Sequence, residues 1–149
     1  MIVLPHRGVD DIKLGSTKDT IAASLGTPDK KQIDYHSETD NSEVWLYRLL
    51  RLEMSFDSEH QYMLSHLTSY HPYALVGGFN PIGLQEKYLL LKFPHLDLEL
   101  EVNEDEKYYR DPVLDLTYEI TNSRVISVTV FPEIDSITNK ILWPNFKIS

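Results

Sequence analysis

A degenerate internal repeat divides the sequence into two similar halves, which limits the folds that the chain can adopt. Residues 12–26 align with residues 80–94, and each segment has the pattern of a short helix. The matched positions are Leu14-Gly15 with Ile82-Gly83, Ile21 with Leu89, and Leu25 with Phe93. Helices this short are unstable alone, so each must pack against another apolar surface.

Both helix signals have recognisable ends. In the first segment, Ser16 is predicted to cap the helix with Asp19 as its capping-box partner, and Gly26 is predicted to end it. In the second segment, Pro94 prevents the helix from continuing, because proline has no backbone N–H group. Glycines 77 and 78 are predicted to form a flexible connection between the two halves.

Strand signals follow each helix, with alternating polar and apolar residues and turn-forming residues between them. The predicted strands are Val44–Tyr47, Leu52–Asp57 and Leu64–Tyr70 after the first helix, and Leu98–Val102, Leu114–Ile120 and Val125–Phe131 after the second. The predicted fold is therefore α+β, with two tandem helix–three-strand antiparallel units forming one sheet and the helices on one face.

The predicted organisation is a single domain over residues 1–149. The first repeat spans residues 9–72, the second spans residues 73–132, and a C-terminal extension spans residues 133–149. The spacing of Ile134, Ile137 and Ile141 allows a short helix in this extension, and the Trp143-Pro144 pair is expected to pack the tail back onto the domain.

Composition excludes several classes of function. The chain has 149 residues, 14 Lys+Arg against 23 Asp+Glu, a formal net charge of -9 and no Cys. The negative charge argues against direct binding of nucleic acid, and the missing thiols exclude disulfides, thiolate metal sites and cysteine nucleophiles. The N-terminal residues lack a basic leader followed by an apolar stretch, so a cytoplasmic location without membrane contact is expected.

Acidic and aromatic residues alternate with the predicted core residues along the strands, which indicates an acidic sheet face. Like charges on neighbouring strands repel, and exposed aromatic side chains are typical of protein interfaces, so this face is the candidate partner-binding surface. A solvated polar face without a partner remains the alternative. The candidate residues are Glu43, Trp45, Tyr47, Glu53, Asp57, Tyr70, Glu99, Glu101, Asp115 and Glu119.

Motifs for catalysis or metal binding are weak. The six His residues do not form a spacing typical of helical metal ligands, so no metal site and no cofactor are expected. Asp97, Glu99 and Glu101 alternate along one strand and could bind a hard cation, although such ladders are more often plain surface. No nucleophile or phosphate-loop motif occurs, so no catalytic residue is assigned and a non-enzyme is predicted. A carboxylate pair for acid–base catalysis stays open, because such pairs form in space rather than in sequence.

The start of the first repeat resembles a known family of repeat proteins. It matches the pattern I-x-L-G-x-[ST]-x-x-x-[IV]-x-x-x-L-G-x-P from Ile12 to Pro28. The pattern resembles the helix–sheet repeats of SmpA/OmlA-type outer-membrane assembly lipoproteins and of tandem-repeat β-lactamase inhibitor proteins. The sequence is also similar to immunity proteins of bacterial contact-dependent growth inhibition systems, with residues 76–86 resembling their second repeat.

Departures from these families point to the immunity proteins. The lipoproteins need a lipid-bearing Cys and the secreted inhibitors usually have disulfides, whereas this chain has no Cys. The resemblance therefore implies a bacterial, cytoplasmic immunity protein that occludes a cognate toxin domain, expected to be a basic nuclease, by protein–protein contact. The alternative is a non-toxin inhibitor or scaffold protein of the same fold that binds a hydrolase.

Overall fold

The computed structural model describes residues 1–144, which form a mostly β protein with 47% strand and 12% helix. The strands are β1 (Ile2–Leu4), β2 (Gly8–Val9), β3 (Ile12–Lys13), β4 (Lys30–Tyr35), β5 (Asn41–Tyr47), β6 (Leu52–Asp57), β7 (Leu64–Ser69), β8 (Leu75–Val76), β9 (Asp97–Asn103), β10 (Glu106–Asp111), β11 (Leu116–Thr121), β12 (Arg124–Val130), β13 (Glu133–Ile134) and β14 (Ile141–Leu142). The helices are α1 (Lys18–Leu25) and α2 (Glu86–Lys92), with a 3-10 turn over Ser58–His60.

An eight-stranded antiparallel sheet dominates the fold, in the order β4-β5-β6-β7-β12-β11-β10-β9. Strands β7 and β12 pair at its centre, where Thr68 lies opposite Thr129 and their hydroxyl groups are 2.8 Å apart. Two strands at opposite ends, β4 and β9, form its edges. A four-stranded sheet, β3-β2-β1-β8, and the hairpin β13-β14 complete the described strands.

Both helices lie on the same face of the large sheet. Helix α1 begins at Thr17, whose hydroxyl accepts a hydrogen bond of 3.2 Å from the backbone N–H of Thr20, so the N-cap is Thr17 and the prediction of Ser16 is wrong. The helix ends at Gly26, whose φ of 81° suits a residue without a side chain. Ile21 of α1 and Leu89 of α2 are buried in the same core.

The core lies between the helices and the sheet. Large side chains of the central strands fill it, including Met54, Phe56, Leu67 and Tyr118, all at most 1% exposed. The opposite face of the sheet carries no helix among the described residues. Strand side chains that point away from the core therefore lie on a face that no helix of residues 1–144 covers. This face is called the open face below.

The predicted fold of two helix–three-strand units is wrong. The six predicted strands overlap β5, β6, β7, β9, β11 and β12, but the large sheet has eight strands and the N-terminal strands belong to a second sheet. The prediction missed β4 and β10 because both are rich in charged residues and lie at or next to an edge, where burial does not impose alternation. The small sheet was missed because its strands are only two or three residues long.

The C-terminal extension also differs from the prediction. A hairpin of β13 and β14, not a helix, contains Ile134 and Ile141, which face each other across the two strands. Trp143 packs edge-on against His60, with ring centroids 5.7 Å apart, as expected for a tail that folds back. The rest of the predicted extension, residues 145–149, lies outside the described residues.

None of the helices described in residues 1–144 has the length and apolar character needed to cross a membrane.

Candidate binding face

Four connected hollows run across the open face. Neighbouring hollows share lining residues. The first shares Glu53 with a second hollow and shares Asp57 and His66 with a third, and the second shares Tyr108 with the fourth. The carboxylates that line them are Asp34, Asp40, Glu53, Asp57, Glu59, Glu99 and Glu119. The hollows form one continuous, strongly acidic groove, called the acidic groove below.

Arg110 is the one Lys or Arg residue among the described lining residues of the acidic groove, and it is already paired. Its guanidinium donates a hydrogen bond of 2.9 Å to Asp115, and His6 lies 2.8 Å from the other oxygen of the same carboxylate. Arg48 and Arg51 lie in the turn between β5 and β6, near the hydroxyl of Tyr70 at the rim. The groove therefore carries an excess of negative charge that its own lining does not neutralise.

The centre of the acidic groove is a hollow of about 430 Å³ between Glu53 and Glu119, with Tyr70 and Tyr108 in its wall. The side chain of Glu53 is exposed, yet its pKa is raised above the ordinary value. Partial desolvation is the largest cause, and the negative charges of Asp34 and Glu119 add to it. A cation placed beside Glu53 would stabilise its ionised carboxylate.

One end of the acidic groove is organised around Asp57, the last residue of β6. The hydroxyls of Ser42 and Ser55 donate hydrogen bonds of 2.6 Å and 2.8 Å to its Oδ1. Desolvation acts to raise the pKa of Asp57, but these two hydrogen bonds, with His66 and His60 nearby, hold the pKa below its ordinary value. Asp57 is therefore a fixed, ionised carboxylate.

Three His residues surround the same carboxylate. Nδ1 of His66 lies 3.9 Å and Nδ1 of His60 lies 4.0 Å from Oδ2 of Asp57, and His36 lies 2.8 Å from the hydroxyl of Ser42. Burial lowers the pKa of His66, an effect that Asp57 opposes and the other two His residues reinforce. The neutral imidazole of His66 is thus favoured at neutral pH.

The contacts of Ser42 exclude one catalytic arrangement. Its single hydroxyl proton goes to Asp57, so the imidazole of His36 must donate its N–H to the Ser42 oxygen rather than accept a proton from it. A serine nucleophile requires the reverse direction of proton transfer. This network positions Asp57 and does not activate Ser42.

The structure brings half of the predicted site residues together in the acidic groove. These are Glu53, Asp57, Tyr70, Glu99 and Glu119. Asp115 lies beside the groove in its contacts with Arg110 and His6. Five residues thus line one surface as the alternation predicted, and a sixth borders it.

The prediction that Trp45 and Tyr47 lie among the acidic residues of the exposed face is wrong. Trp45 is 3% and Tyr47 is 5% exposed, and both belong to the core. The ring of Trp45 packs against Phe56 with centroids 4.8 Å apart, and the hydroxyl of Tyr47 donates a hydrogen bond to the carbonyl of Gly26. Residues 44–47 of β5 are all apolar, so alternation of polar and apolar residues could not identify which face of the strand is buried.

Glu43 and Glu101 also lie on the helix side of the sheet, contrary to the prediction. Glu43 shares the face of Trp45 and pairs with Lys18 of α1 at 2.8 Å. Glu101 lies opposite Lys107, whose ammonium pairs with Glu86 of α2. A bulge in β9 separates Glu99 from Glu101, because the register between β9 and β10 shifts between Tyr108 and Tyr109.

Several residues of the acidic groove were not predicted. Tyr108 and Arg110 belong to β10, which the sequence did not reveal, and His36 follows the equally unpredicted β4. The histidines at 60 and 66 were dismissed because their spacing suits no helix, whereas one lies in a 3-10 turn and the other on a strand. The signal that was present is the sequence Asp57-Ser58-Glu59-His60 at a strand end.

Comparisons with known proteins give little further information. No protein-family model matches the sequence, and no curated protein is significantly similar to it. Among solved structures, the chain is similar to an extracellular protein containing a SCP domain from Bacillus anthracis str. Ames, with 13% identity and a TM-score of 0.48. The match covers 80% of this chain and 44% of that chain, so this chain spans less than half of that protein's length.

Proposed function

We propose that the protein is a cytoplasmic immunity protein that binds a basic toxin domain through the acidic groove and neutralises it by occlusion. The observation that carries the proposal is the groove itself, whose lining within residues 1–144 contains seven carboxylates and one Arg that is already paired. The resemblance of Ile12–Pro28 to immunity proteins supports the choice of a toxin as the partner.

Charge complementarity defines the class of partner. Lys and Arg side chains that contact nucleic-acid phosphates in a nuclease are also complementary to a row of carboxylates. An acidic surface accelerates the encounter with such a domain, and this acceleration decreases with salt. The inhibitor would occupy the nucleic-acid groove, so no catalytic step of its own is needed.

Aromatic anchors are available in the central hollow, although they are not the ones predicted. Tyr70 and Tyr108 line the hollow between Glu53 and Glu119, and both side chains are partly buried before any partner binds. Tyrosine side chains that are already partly buried contribute contact area at a low entropic cost. They replace Trp45 and Tyr47 in the proposal, because those two side chains are in the core.

The test uses a basic toxin domain encoded next to this protein, with growth rescue on co-expression and titration calorimetry as measurements. In one variant, Glu53, Glu99 and Glu119 are replaced by Lys. In the matched control, Asp11, Glu38 and Glu104, all exposed and outside the lining of the acidic groove, are replaced by Lys. Both variants change the net charge equally, so they separate the groove from overall charge.

The groove variant is expected to lose affinity by about a hundredfold or more and to lose most of its salt dependence, while the control stays within about tenfold of the wild type. Equal losses in both variants would overturn the groove as the binding site. Failure of the wild-type protein to bind or protect would overturn the immunity role. Tight binding to a non-toxic hydrolase domain instead would replace the toxin with that hydrolase as partner.

A further inference from the structure

The Asp57 end of the acidic groove contains a set of side chains whose chemistry differs from that of a plain acidic surface. Asp57, Glu59 and His60 each place one ligand-type atom within 4.8 Å of the other two. His66 approaches the same carboxylate from β7, with its Nδ1 at 3.9 Å from Oδ2 of Asp57. His66 thus contacts Asp57 beside the cluster that Asp57, Glu59 and His60 form.

Asp57 presents one free oxygen to this place. Ser42 and Ser55 both donate their hydroxyl protons to Oδ1, which fixes the rotation of the carboxylate. Oδ2 is the atom that faces both His60 and His66. Hydrogen bonds from neighbouring groups that hold a carboxylate in one orientation are typical of the surroundings of metal ligands.

His60 is held in the tautomer that leaves Nε2 free. The hydroxyl of Ser65 donates its only proton to the carbonyl of Met63 and lies 3.0 Å from Nδ1 of His60, so Nδ1 must be the N–H donor. Nε2 then carries the lone pair, and it lies 3.9 Å from a carboxylate oxygen of Glu59. An imidazole whose other nitrogen donates to a fixed oxygen is the usual form of a metal-bound His.

Packing holds both imidazole rings in place. The ring of His66 lies against Phe131 with centroids 5.3 Å apart, and Trp143 packs edge-on against His60. No hydrogen bond of the His66 side chain is found within residues 1–144, although it lines two of the hollows. Oriented imidazoles therefore need little reorganisation to bind an ion.

We propose that Asp57, Glu59, His60 and His66 bind a divalent transition-metal ion of the Zn²⁺ type. Mixed imidazole and carboxylate donors suit Zn²⁺, which takes four ligands at about 2.0–2.2 Å. Tetrahedral ligands at such distances are about 3.4 Å apart. The 3.9 Å separations between Nε2 of His60 and Glu59 and between Nδ1 of His66 and Asp57 exceed this value by about half an ångström. The ion site shares Asp57 and Glu59 with the acidic groove, but its test does not require toxin binding.

The experiment titrates the full-length, untagged protein with ZnCl₂ by calorimetry and with CoCl₂ by visible absorption. One-to-one binding in the micromolar range and the absorption band of tetrahedral Co²⁺ are expected. His60→Ala and His66→Ala are each expected to weaken Zn²⁺ binding by about a hundredfold. Glu59→Gln, at an exposed side chain, is expected to weaken it by about tenfold without affecting folding.

Two His residues away from the site serve as controls. His71→Ala and His95→Ala remove imidazoles that contact Tyr73 and Asp111, respectively, and should leave Zn²⁺ affinity unchanged. Nitrogen-detected imidazole spectra should show Zn²⁺ shifting the resonances of His60 and His66 only. Absence of binding below millimolar Zn²⁺, unchanged affinity in the His60 and His66 variants, or equal shifts of all imidazoles would each overturn the site.

Discussion

The hydroxyl of Ser42 on β5 donates a hydrogen bond of 2.6 Å to the carboxylate of Asp57 at the end of β6. The two residues face each other across the strand pair, and Ser55 donates a second hydrogen bond to the same oxygen. The pair therefore joins the two strands and also fixes the carboxylate that faces His60 and His66. Stability and the geometry of the acidic groove depend on the same contact.

Ser42→Ala is expected to reduce the free energy of unfolding by about 1–3 kcal/mol at neutral pH, the range for a lost hydrogen bond to a charged group. The pKa of Asp57 is lowered in the folded protein, so its stabilising contribution is present above the ordinary value of 3.8 and is lost as pH falls through the lower, folded pKa. The difference between variant and wild type should therefore shrink on acidification, measured by urea unfolding at several pH values.

Ser24→Ala is the control for this prediction, because Ser24 is exposed on α1. Its effect should be small and independent of pH. A difference between Ser42→Ala and wild type that stays constant down to pH of about 3 would mean that the hydroxyl does not act through the Asp57 carboxylate.

Substitution of Trp45 tests whether this residue belongs to the core or to the partner-binding surface. Trp45→Ala is expected to cost about 3–5 kcal/mol of unfolding free energy, because the indole is buried against Phe56. Trp45→Phe should cost less than half as much, since it also removes a buried indole N–H that has no hydrogen-bond partner within residues 1–144. Urea unfolding followed by circular dichroism measures both.

Tyr35→Ala on the neighbouring strand β4 provides the matched control. Tyr35 is 76% exposed, so its removal should change the unfolding free energy by no more than about 0.5 kcal/mol. If Trp45→Ala were equally harmless to stability, the indole would have to lie outside the core, as the sequence pattern had indicated.

Trp45 also shows why part of the fold could be predicted and part could not. Strand β6 was predicted with its correct ends and faces, because Leu52, Met54 and Phe56 alternate with polar residues. Residues 44–47 of β5 are apolar without interruption, so the choice of buried face depends on which side chains fit against Phe56 and α1. That choice is a matter of three-dimensional packing and is not encoded in periodicity.

The candidate site, like the fold, has some features that alternation along the strands predicts and others that it does not. Glu53 and Glu119 could be assigned to one face because their strands alternate clearly. The bulge at Glu99 and the cluster at Asp57 could not be predicted, since both depend on the register between strands distant in sequence or on a turn geometry. Because of this bulge, Leu100 of edge strand β9 lies opposite Tyr108 on the open face, where it is 53% exposed.

Tyr109 connects β10 to helix α2 by donating a hydrogen bond to Glu86, which also pairs with Lys107. Tyr109→Phe is expected to cost about 1–3 kcal/mol at neutral pH, because the carboxylate loses a donor. Desolvation and Glu86 raise the pKa of Tyr109 to about 12 from its ordinary value of 10.0. The stabilising contribution is therefore present below pH of about 10 and lost as pH rises through about 12.

Thermal unfolding of wild type and Tyr109→Phe between neutral pH and pH of about 12 tests this relationship. The two curves should be separated by a constant amount below pH of about 10 and should converge above it. Tyr35→Phe, at an exposed phenol, should follow the wild type throughout. A separation that does not change with pH would show that Tyr109 acts through packing alone.

Gly8 in β2 is required by the tight β2–β3 hairpin. Its φ is 148°, and a Cβ atom there would lie 1.9 Å from the carbonyl oxygen of Ile12. Gly8→Ala is therefore expected to cost about 3 kcal/mol or more, because the backbone itself must move. Gly78→Ala is the matched control: its φ is 80° and no atom of the described residues lies within 4 Å of the added Cβ, so only backbone strain of about 1 kcal/mol is expected.

The consequences of Gly8→Ala should extend beyond the small sheet. Val9 is fully buried in the main core, and His6, two residues before Gly8, contacts the carboxylate of Asp115 that also holds Arg110. Displacing β2 should therefore broaden or shift the amide resonances of Asp115 and Arg110 in NMR spectra, whereas Gly78→Ala should leave both unchanged. Equal destabilisation by the two substitutions, with no change at Asp115, would show that the hairpin relaxes without its glycine and does not support this side of the acidic groove.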